Sequence, residues 1–174
     1  MPKTFHFTED SYEQTIISLF KDMGYEYHYS PELDADTSRE LTDSTIPGAL
    51  RKAMLAINGA EKVAAVDEAI RKIREQFSQP LVSANITLTD WLQNGLDVTF
   101  KTAQGSLRSD HIKIIDTDNI NNNSFVVANQ WTVTNGKSTK RADIVVFING
   151  LPISVVELKS PSREVTNSEE AHQQ

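Results

Sequence analysis

The sequence predicts a mixed α/β (α+β) domain in which a mostly antiparallel sheet is flanked by helices. Helical spacing of apolar residues dominates the first half of the chain, and β-branched and aromatic residues alternate or cluster in the second. Asn149-Gly150, placed between two apolar runs, indicates a β-hairpin. The chain has 174 residues, which is enough for one domain with a buried core, so we expect a single domain over residues 1–174.

The first half of the chain is predicted to be helical. Between Glu9 and Met23 apolar residues recur at three- and four-residue steps, with a start signal at Thr8 and a stop at Gly24. The acidic stretch from Ser30 to Ile46 lacks apolar periodicity and predicts a surface loop. A helical insert is expected over about residues 46–80, followed by a short helix, and the predicted helical ranges are 48–57, 61–77 and 85–94.

Strands are expected beyond the last helix. The asparagine-rich segment that starts at Asp118 indicates a turn or loop tip between the second and third strands. Pro152 stands at the entry of the returning strand of the Asn149-Gly150 hairpin. The five predicted strands cover residues 96–101, 107–115, 125–134, 142–148 and 153–159.

Composition excludes several classes of function. The chain has no cysteine, so disulfides, thiolate metal sites and a cysteine nucleophile are excluded. It has no long apolar run and no signal peptide at its start, and we expect a cytoplasmic protein without a membrane partner. The net charge of -7 argues against a surface that is basic throughout. Residues 101–174 balance eight basic against eight acidic side chains, so DNA contact is expected there.

Three charged residues stand in the most apolar part of the chain. Asp143 heads one strand of the predicted hairpin, and Glu157 and Lys159 end the other. Because strand side chains alternate, Glu157 and Lys159 project from one face, and the hairpin folds Asp143 back toward them. Two adjacent carboxylates require a compensating cation, so the pattern predicts either a metal site or a structural ion pair with the lysine.

Phosphodiester hydrolysis would use each of these groups. Asp143 and Glu157 would hold one or two Mg²⁺ ions, with the Leu158 carbonyl as a further ligand. Lys159 would orient the attacking water and offset negative charge that develops on the phosphate. The alternative for these residues is a set of strand-end charges that are merely solvated.

The segment also resembles a known family. The spacing of Asp143, Glu157 and Lys159 resembles the PD-(D/E)xK nuclease superfamily, and the string from Asp143 to Pro161 is similar to the amino-terminal region of the restriction (R) subunit of type I restriction-modification enzymes. The strings that begin at Ile112 and Asn123 resemble the preceding strands of that family. The resemblance implies a restriction-endonuclease-like core and a Mg²⁺-dependent endonuclease that acts on double-stranded DNA.

The resemblance also implies partners and a larger subunit. Methyltransferase and specificity subunits would recognise the DNA sequence, and ATP and S-adenosylmethionine would be needed only by the full complex. The 174 residues contain no Gly-x-x-x-x-Gly-Lys-[Ser/Thr] phosphate loop, so the ATP-dependent motor of such a subunit is not in this chain, which we expect to be an incomplete piece. Two alternatives stay open: a stand-alone repair or recombination nuclease, and a degenerate nuclease fold that serves as a docking module.

Four further residues are candidates. Similar nucleases supply an accessory acidic residue from the first helix, a position that Glu13 matches. The resemblance matches Gln174 to a glutamine that follows the Glu-x-Lys strand in the family. Lys140 and Arg141 precede the catalytic strand and are candidates for contacts with DNA phosphates, although most such strand-end residues are only solvated.

Overall fold

The predicted helical first half and strand-rich second half are present in the computed structural model, which describes residues 9–37, 39–136 and 138–159. These described residues form five α-helices, one short 3-10 helix at Ile120–Asn122 and six strands. The helices are α1 Glu9–Asp22, α2 Ser30–Thr37, α3 Ala49–Asn58, α4 Val63–Gln76 and α5 Leu81–Asn94. The strands are β1 Glu26–Tyr29, β2 Leu96–Lys101, β3 Leu107–Ile112, β4 Phe125–Asn135, β5 Ser138–Ile148 and β6 Leu151–Val156.

The strands form two sheets, and the predicted mixed α/β class with mostly antiparallel strands is confirmed. One sheet has four strands in the order β1-β4-β5-β6, and the other is the antiparallel pair β2-β3. In that pair Leu96 lies opposite Ile112 and Lys101 lies opposite Leu107. None of the helices in the described part of the chain combines the length and the apolar character that a membrane span requires.

The chain divides into two compact units. Unit 1 comprises the described residues of Met1–Thr42, Val127–Val146 and Ile153–Gln174, and unit 2 comprises Asp43–Val126 and Phe147–Pro152. The expected single nuclease domain over 1–174 stays a prediction. Each unit has an apolar cluster of its own, centred on Ile17, Val127 and Ile144 in unit 1 and on residues of α3, α4, β2 and β3 in unit 2.

Unit 2 is built around helix α4. Its buried face presents Ala65, Val66, Ala69 and Ile73, which recur at one-, three- and four-residue steps along one side of the helix. This face packs against the β2-β3 hairpin and against α3. The predicted helices at 48–57 and 61–77 therefore occur as α3 and α4, and burial of their apolar faces stabilises them.

The predicted hairpin turn at Asn149-Gly150 is confirmed. Both residues have positive φ, 53° and 82°, as the tight turn favoured between twisted antiparallel strands requires. The Asn149 side chain is fully buried, where its Oδ1 accepts from the Ser124 amide at 2.8 Å and its Nδ2 donates to the Ile114 carbonyl at 2.9 Å. A Cβ on Gly150 would lie 2.9 Å from the Ala49 Cβ, so this site requires glycine for space as well as for backbone conformation.

Two elements differ from the prediction for a common reason. The predicted loop from Ser30 to Ile46 is wrong over its first eight residues, which form α2. The short strand β1 was not expected at all. Neither element has an apolar stripe, and α2 instead begins with Ser30-Pro31-Glu32, a helix-start combination. The Asp34 side chain of α2 pairs with Arg39 at 2.6 Å, a contact that apolar periodicity does not reveal.

Helix α5 also begins earlier than predicted. It starts at Leu81, directly after Pro80, whereas the expected start was Asn85. The first turn exposes Leu81 and Val82. These apolar side chains lie off the buried face of α5. The apolar spacing of the sequence therefore did not indicate a helix over the first turn.

Candidate active site

The site predicted from Asp143, Glu157 and Lys159 lies in unit 1, where β5 and the residues after β6 meet. Asp143 is half-buried on β5, and its Oδ2 accepts a hydrogen bond from the backbone amide of Leu158 at 2.7 Å. This bond ties the Asp143 carboxylate to the residue between Glu157 and Lys159. The hairpin therefore brings the aspartate to the Glu-x-Lys segment, fifteen positions along the chain from Leu158.

Glu157 and Lys159 lie just beyond the strand. The predicted strand at 153–159 is displaced, because β6 covers Leu151–Val156 and ends before Glu157. Exposure still alternates: Glu157 and Lys159 are exposed, and Leu158 packs against the apolar cluster of unit 1. Packing of Leu158 thus holds the segment that carries both charged side chains. Among the described residues neither Glu157 nor Lys159 has a hydrogen-bond or ion-pair partner in the protein, so both charges are available to a ligand.

The donor set fits a hard divalent cation. Carboxylate and carbonyl oxygens are the ligands that Mg²⁺ prefers, and among the described residues only one oxygen of Asp143 is engaged, by an uncharged backbone amide. The Glu157 carboxylate is accessible. Within the described ranges no three side chains of Asp, Glu, His or Cys are grouped as a metal site, so a cation here would use two carboxylates and other oxygen donors. The role of the Leu158 carbonyl stays a prediction, since the structure shows only the amide of Leu158 in contact with Asp143.

Glu13 is placed in a polar network that the sequence did not reveal. The residue lies on α1 and is only 8% exposed. Its Oε1 accepts from Asn129 Nδ2 at 2.5 Å, and its Oε2 accepts from Gln130 Nε2 at 3.0 Å. The Tyr27 hydroxyl donates to Asn129 Oδ1 at 3.0 Å, and burial, followed by the negative charge of Glu13, raises the pKa of Tyr27. Four side chains therefore form one connected set of hydrogen bonds, of which the Glu13–Asn129 bond is buried and the other two are partly buried.

Asn129, Gln130 and Tyr27 were not among the predicted site residues. Adjacent Asn and Gln in an otherwise apolar strand are the one signal that could have drawn attention to them, since buried amides need specific partners. The partner could not be read from the sequence, because Glu13 is more than a hundred positions away.

Within the described part of the chain, Lys140 and Arg141 form neither a hydrogen bond nor an ion pair with Asp143, Glu157 or Lys159. Lys140 and Arg141 are exposed on β5, as phosphate-contacting residues would have to be, and their role stays a prediction. Gln174 lies outside the described residues.

The structure thus defines an α+β fold in which Asp143 is hydrogen-bonded to the backbone of the Glu-x-Lys segment, just beyond the end of a hairpin strand. Residues 6–174 match the family described as "Type I restriction enzyme R protein N terminus". The chain belongs to this family, as the resemblance implied.

Individual relatives agree with the family. The chain is 30% identical over 161 residues to the type I restriction enzyme HindI endonuclease subunit of Haemophilus influenzae, a match that covers 90% of this chain and 15% of that protein. It is 31% identical over 160 residues to a Methanocaldococcus jannaschii protein named "Putative type I restriction enzyme MjaIXP endonuclease subunit", covering 88% of this chain and 15% of that protein. The matched region therefore spans about 15% of the length of these relatives.

Proposed function

We propose that this chain is the endonuclease domain of a type I restriction enzyme R subunit and that it hydrolyses phosphodiester bonds of double-stranded DNA with Mg²⁺. The observation that carries the proposal is the Asp143–Leu158 hydrogen bond, which joins the aspartate to the Glu-x-Lys segment in a chain of this family. Relatives of this chain are named as endonuclease subunits, which supports the same activity here.

The reaction joins a water oxygen to phosphorus and breaks the bond from phosphorus to a sugar oxygen, which takes up a proton. Bound Mg²⁺ would polarise the phosphate and lower the pKa of the attacking water. Asp143 and Glu157 would supply the negative charge that holds the cation, with the Asp143 carboxylate oriented by the Leu158 amide. The Lys159 ammonium is exposed and without a partner among the described residues, so it can orient water and offset charge that develops on the phosphate.

The surrounding complex is part of the proposal. DNA sequence recognition would be performed by specificity and methyltransferase subunits, and ATP and S-adenosylmethionine would serve the whole assembly. The exposed Lys140 and Arg141 would add phosphate contacts beside the site. The net charge of -7 indicates that this chain by itself binds DNA weakly, because DNA phosphates are also negative. We therefore expect the isolated chain to cut DNA weakly or not at all.

The proposal is tested by substituting the site residues in the intact restriction enzyme that contains this domain. Asp143→Asn keeps an oxygen that can accept the Leu158 amide and removes the charge, so it should abolish cleavage without unfolding the domain. Glu157→Ala and Lys159→Ala should also abolish cleavage. ATP hydrolysis and translocation should be retained by all three, because these residues act only in the cleavage transition state.

The matched control is Lys52→Ala, which removes an exposed lysine on α3 and should leave cleavage unchanged. Cleavage that persists in a folded Asp143→Asn enzyme would refute the proposed site. Strong cleavage by the isolated 174-residue chain without ATP would instead favour a stand-alone nuclease.

A further inference from the structure

Helix α5 carries almost no charge. Of its 14 residues only Asp90 is charged, whereas α4, which has the same length, contains six charged residues. The other polar residues of α5 are serine, threonine, asparagine and glutamine. Charged residues are depleted at the centres of interfaces between proteins and are common on surfaces that face water. The composition of α5 is therefore that of a helix covered by protein on more than one side.

Helix α5 is also apolar on two opposite sides. One side packs into unit 2, where Ala84 is buried and Leu88 and Trp91 lie against the apolar cluster. Val82 and Ile86 each stand two positions from a member of this row. A step of two residues turns an α-helix by about 200°, so they project from the opposite side. Val82 is 72% exposed and Ile86 is 68% exposed, so the described residues leave this side largely uncovered.

The exposed apolar residues lie together in the first half of α5. Leu81 precedes Val82 in the first turn and is 75% exposed, and Ile86 follows Val82 by about one turn. We call these three side chains the outer face of α5. A helix at the surface of a globular domain normally has one apolar stripe and a charged opposite side. A second apolar side therefore indicates contact with a second protein surface.

We propose that the outer face of α5 docks against the remaining polypeptide of the R subunit. This inference rests on the proposed function. The matched region is about 15% of the length of the relatives, so a subunit of that kind has ample further polypeptide to make the contact. The partner surface is apolar at its centre, because an unpaired charge buried against these side chains would be unfavourable.

Two properties favour a tethered partner over a second copy of this chain. Three aliphatic side chains present only a fraction of the roughly 800 Å² that each partner buries in a stable complex of free proteins. A contact within one polypeptide needs less area, because the covalent link keeps both surfaces at a high effective concentration. Two copies of the chain would also repel each other, since each has a net charge of -7.

The test measures how fast a maleimide reagent labels a cysteine placed on the outer face of α5. The 174 residues contain no cysteine, so Val82→Cys gives the isolated chain a single thiol. In the intact subunit, peptide mass spectrometry reports labelling at this position alone. Labelling of Val82→Cys should be at least about 10-fold slower in the intact subunit than in the isolated chain, because a docked surface opens only transiently. Adding Ile86→Glu places a charge in the contact and should restore the rate of the isolated chain.

The matched control is Ile120→Cys. Ile120 is a similarly exposed apolar residue outside α5, and this variant should be labelled at the same rate in both proteins. Equal rates for Val82→Cys in the two proteins would overturn the docking. Protection that Ile120→Cys shares, or that Ile86→Glu does not relieve, would also overturn it, because such protection would not come from the outer face of α5.

Two further results identify a different occupant or separate the two proposals. Slow labelling of Val82→Cys already in the isolated chain would overturn docking to the remaining polypeptide. A dependence of that slow rate on protein concentration would identify a second copy as the occupant, and independence would identify another segment of the 174 residues. Loss of cleavage in Asp143→Asn together with equal labelling rates would overturn the docking alone. Cleavage that persists in Asp143→Asn would refute the proposed site whatever the labelling shows.

Discussion

Unit 1 and unit 2 use different means to stabilise their interiors. In unit 2, eleven buried apolar residues form one cluster, and its ion pairs, such as Arg51–Asp67, lie at the surface. In unit 1 seven buried apolar residues are described, and three of them, Ile17, Val127 and Ile144, form the described cluster. Its interior instead contains four buried polar or charged residues among those described, Glu13, Ser30, Arg39 and Asn129.

The difference shows which part of the molecule is adapted to hold charge. Buried charge is costly unless every group is paired, so a region that contains it depends on exact geometry more than on apolar area. The proposed site lies in unit 1, which contains such networks, whereas the apolar cluster of unit 2 provides stability without buried charge. A loss of stability in unit 1 should therefore be recovered when both members of a buried pair are replaced, whereas a loss in unit 2 should follow the apolar volume that is removed.

The largest expected effect on stability is in unit 1. Arg39 is fully buried as a side chain, pairs with Asp34, and lies 4.0 Å from the centroid of the Trp131 ring. Arg39→Met leaves the aspartate without its partner and should lower the free energy of unfolding by about 3–5 kcal/mol in chemical denaturation. The double variant Arg39→Met/Asp34→Leu should recover most of this loss, because replacement of both members by apolar groups is close to neutral. A double variant as unstable as the single one would contradict this account.

The stability of unit 2 should fall when a buried apolar side chain is made smaller. Ile73 is fully buried in the cluster on α4, so Ile73→Ala should lower the free energy of unfolding by about 3 kcal/mol through lost burial and a residual cavity. Val63→Ala on the same helix is the control, since Val63 is 40% exposed, and it should cost well under about 1 kcal/mol. Equal losses in the two variants would contradict the assignment of the loss at Ile73 to core packing, because alanine has the better helix propensity at both positions.

Substitutions of Asn149 in the hairpin turn test how much a buried polar residue contributes to the stability of unit 2. Asn149→Gly keeps the positive φ but removes the hydrogen bonds to Ser124, Ile114 and Asn123, so unfolding free energy should fall by about 2 kcal/mol. Asn149→Ala should be worse, since alanine also strains the backbone at a φ of 53°. Identical melting temperatures for the glycine and alanine variants would argue against a contribution from the backbone.

The smallest effect is a pH dependence at the surface of unit 2. His111 Nδ1 contacts Asp97 at 2.8 Å and Nε2 donates to the Asn94 carbonyl at 2.8 Å, with Asp110 also nearby. The hydrogen bond to Asp97, with help from Asn94, raises the pKa of His111 above its usual 6.5. The resulting stabilisation should be complete below about pH 6.5 and lost as pH rises through the folded-state pKa. Melts of the unsubstituted chain and Asp97→Asn across this window should converge as pH rises, and a constant difference would contradict the assignment.

The sequence by itself determined the elements whose signals are local. Apolar spacing located α1, α3 and α4, β-branched runs located β2 and β4, and Asn149-Gly150 located the turn that joins Asp143 to the Glu-x-Lys segment. These are decided by neighbours a few positions apart, because a helix repeats every 3.6 residues and a strand every two. The family followed from the same short string.

Only the tertiary structure decided how the polar residues are used. The end of β6 before Glu157, the Leu158 amide on Asp143 and the pairing of Arg39 with Trp131 all depend on contacts between separate segments. The clearest case is Gln130, whose left-handed backbone contradicts the alternation that the sequence predicts for β4. That conformation persists because Glu13, brought by α1 from the other end of the described chain, accepts both amides, and no local pattern contains that information.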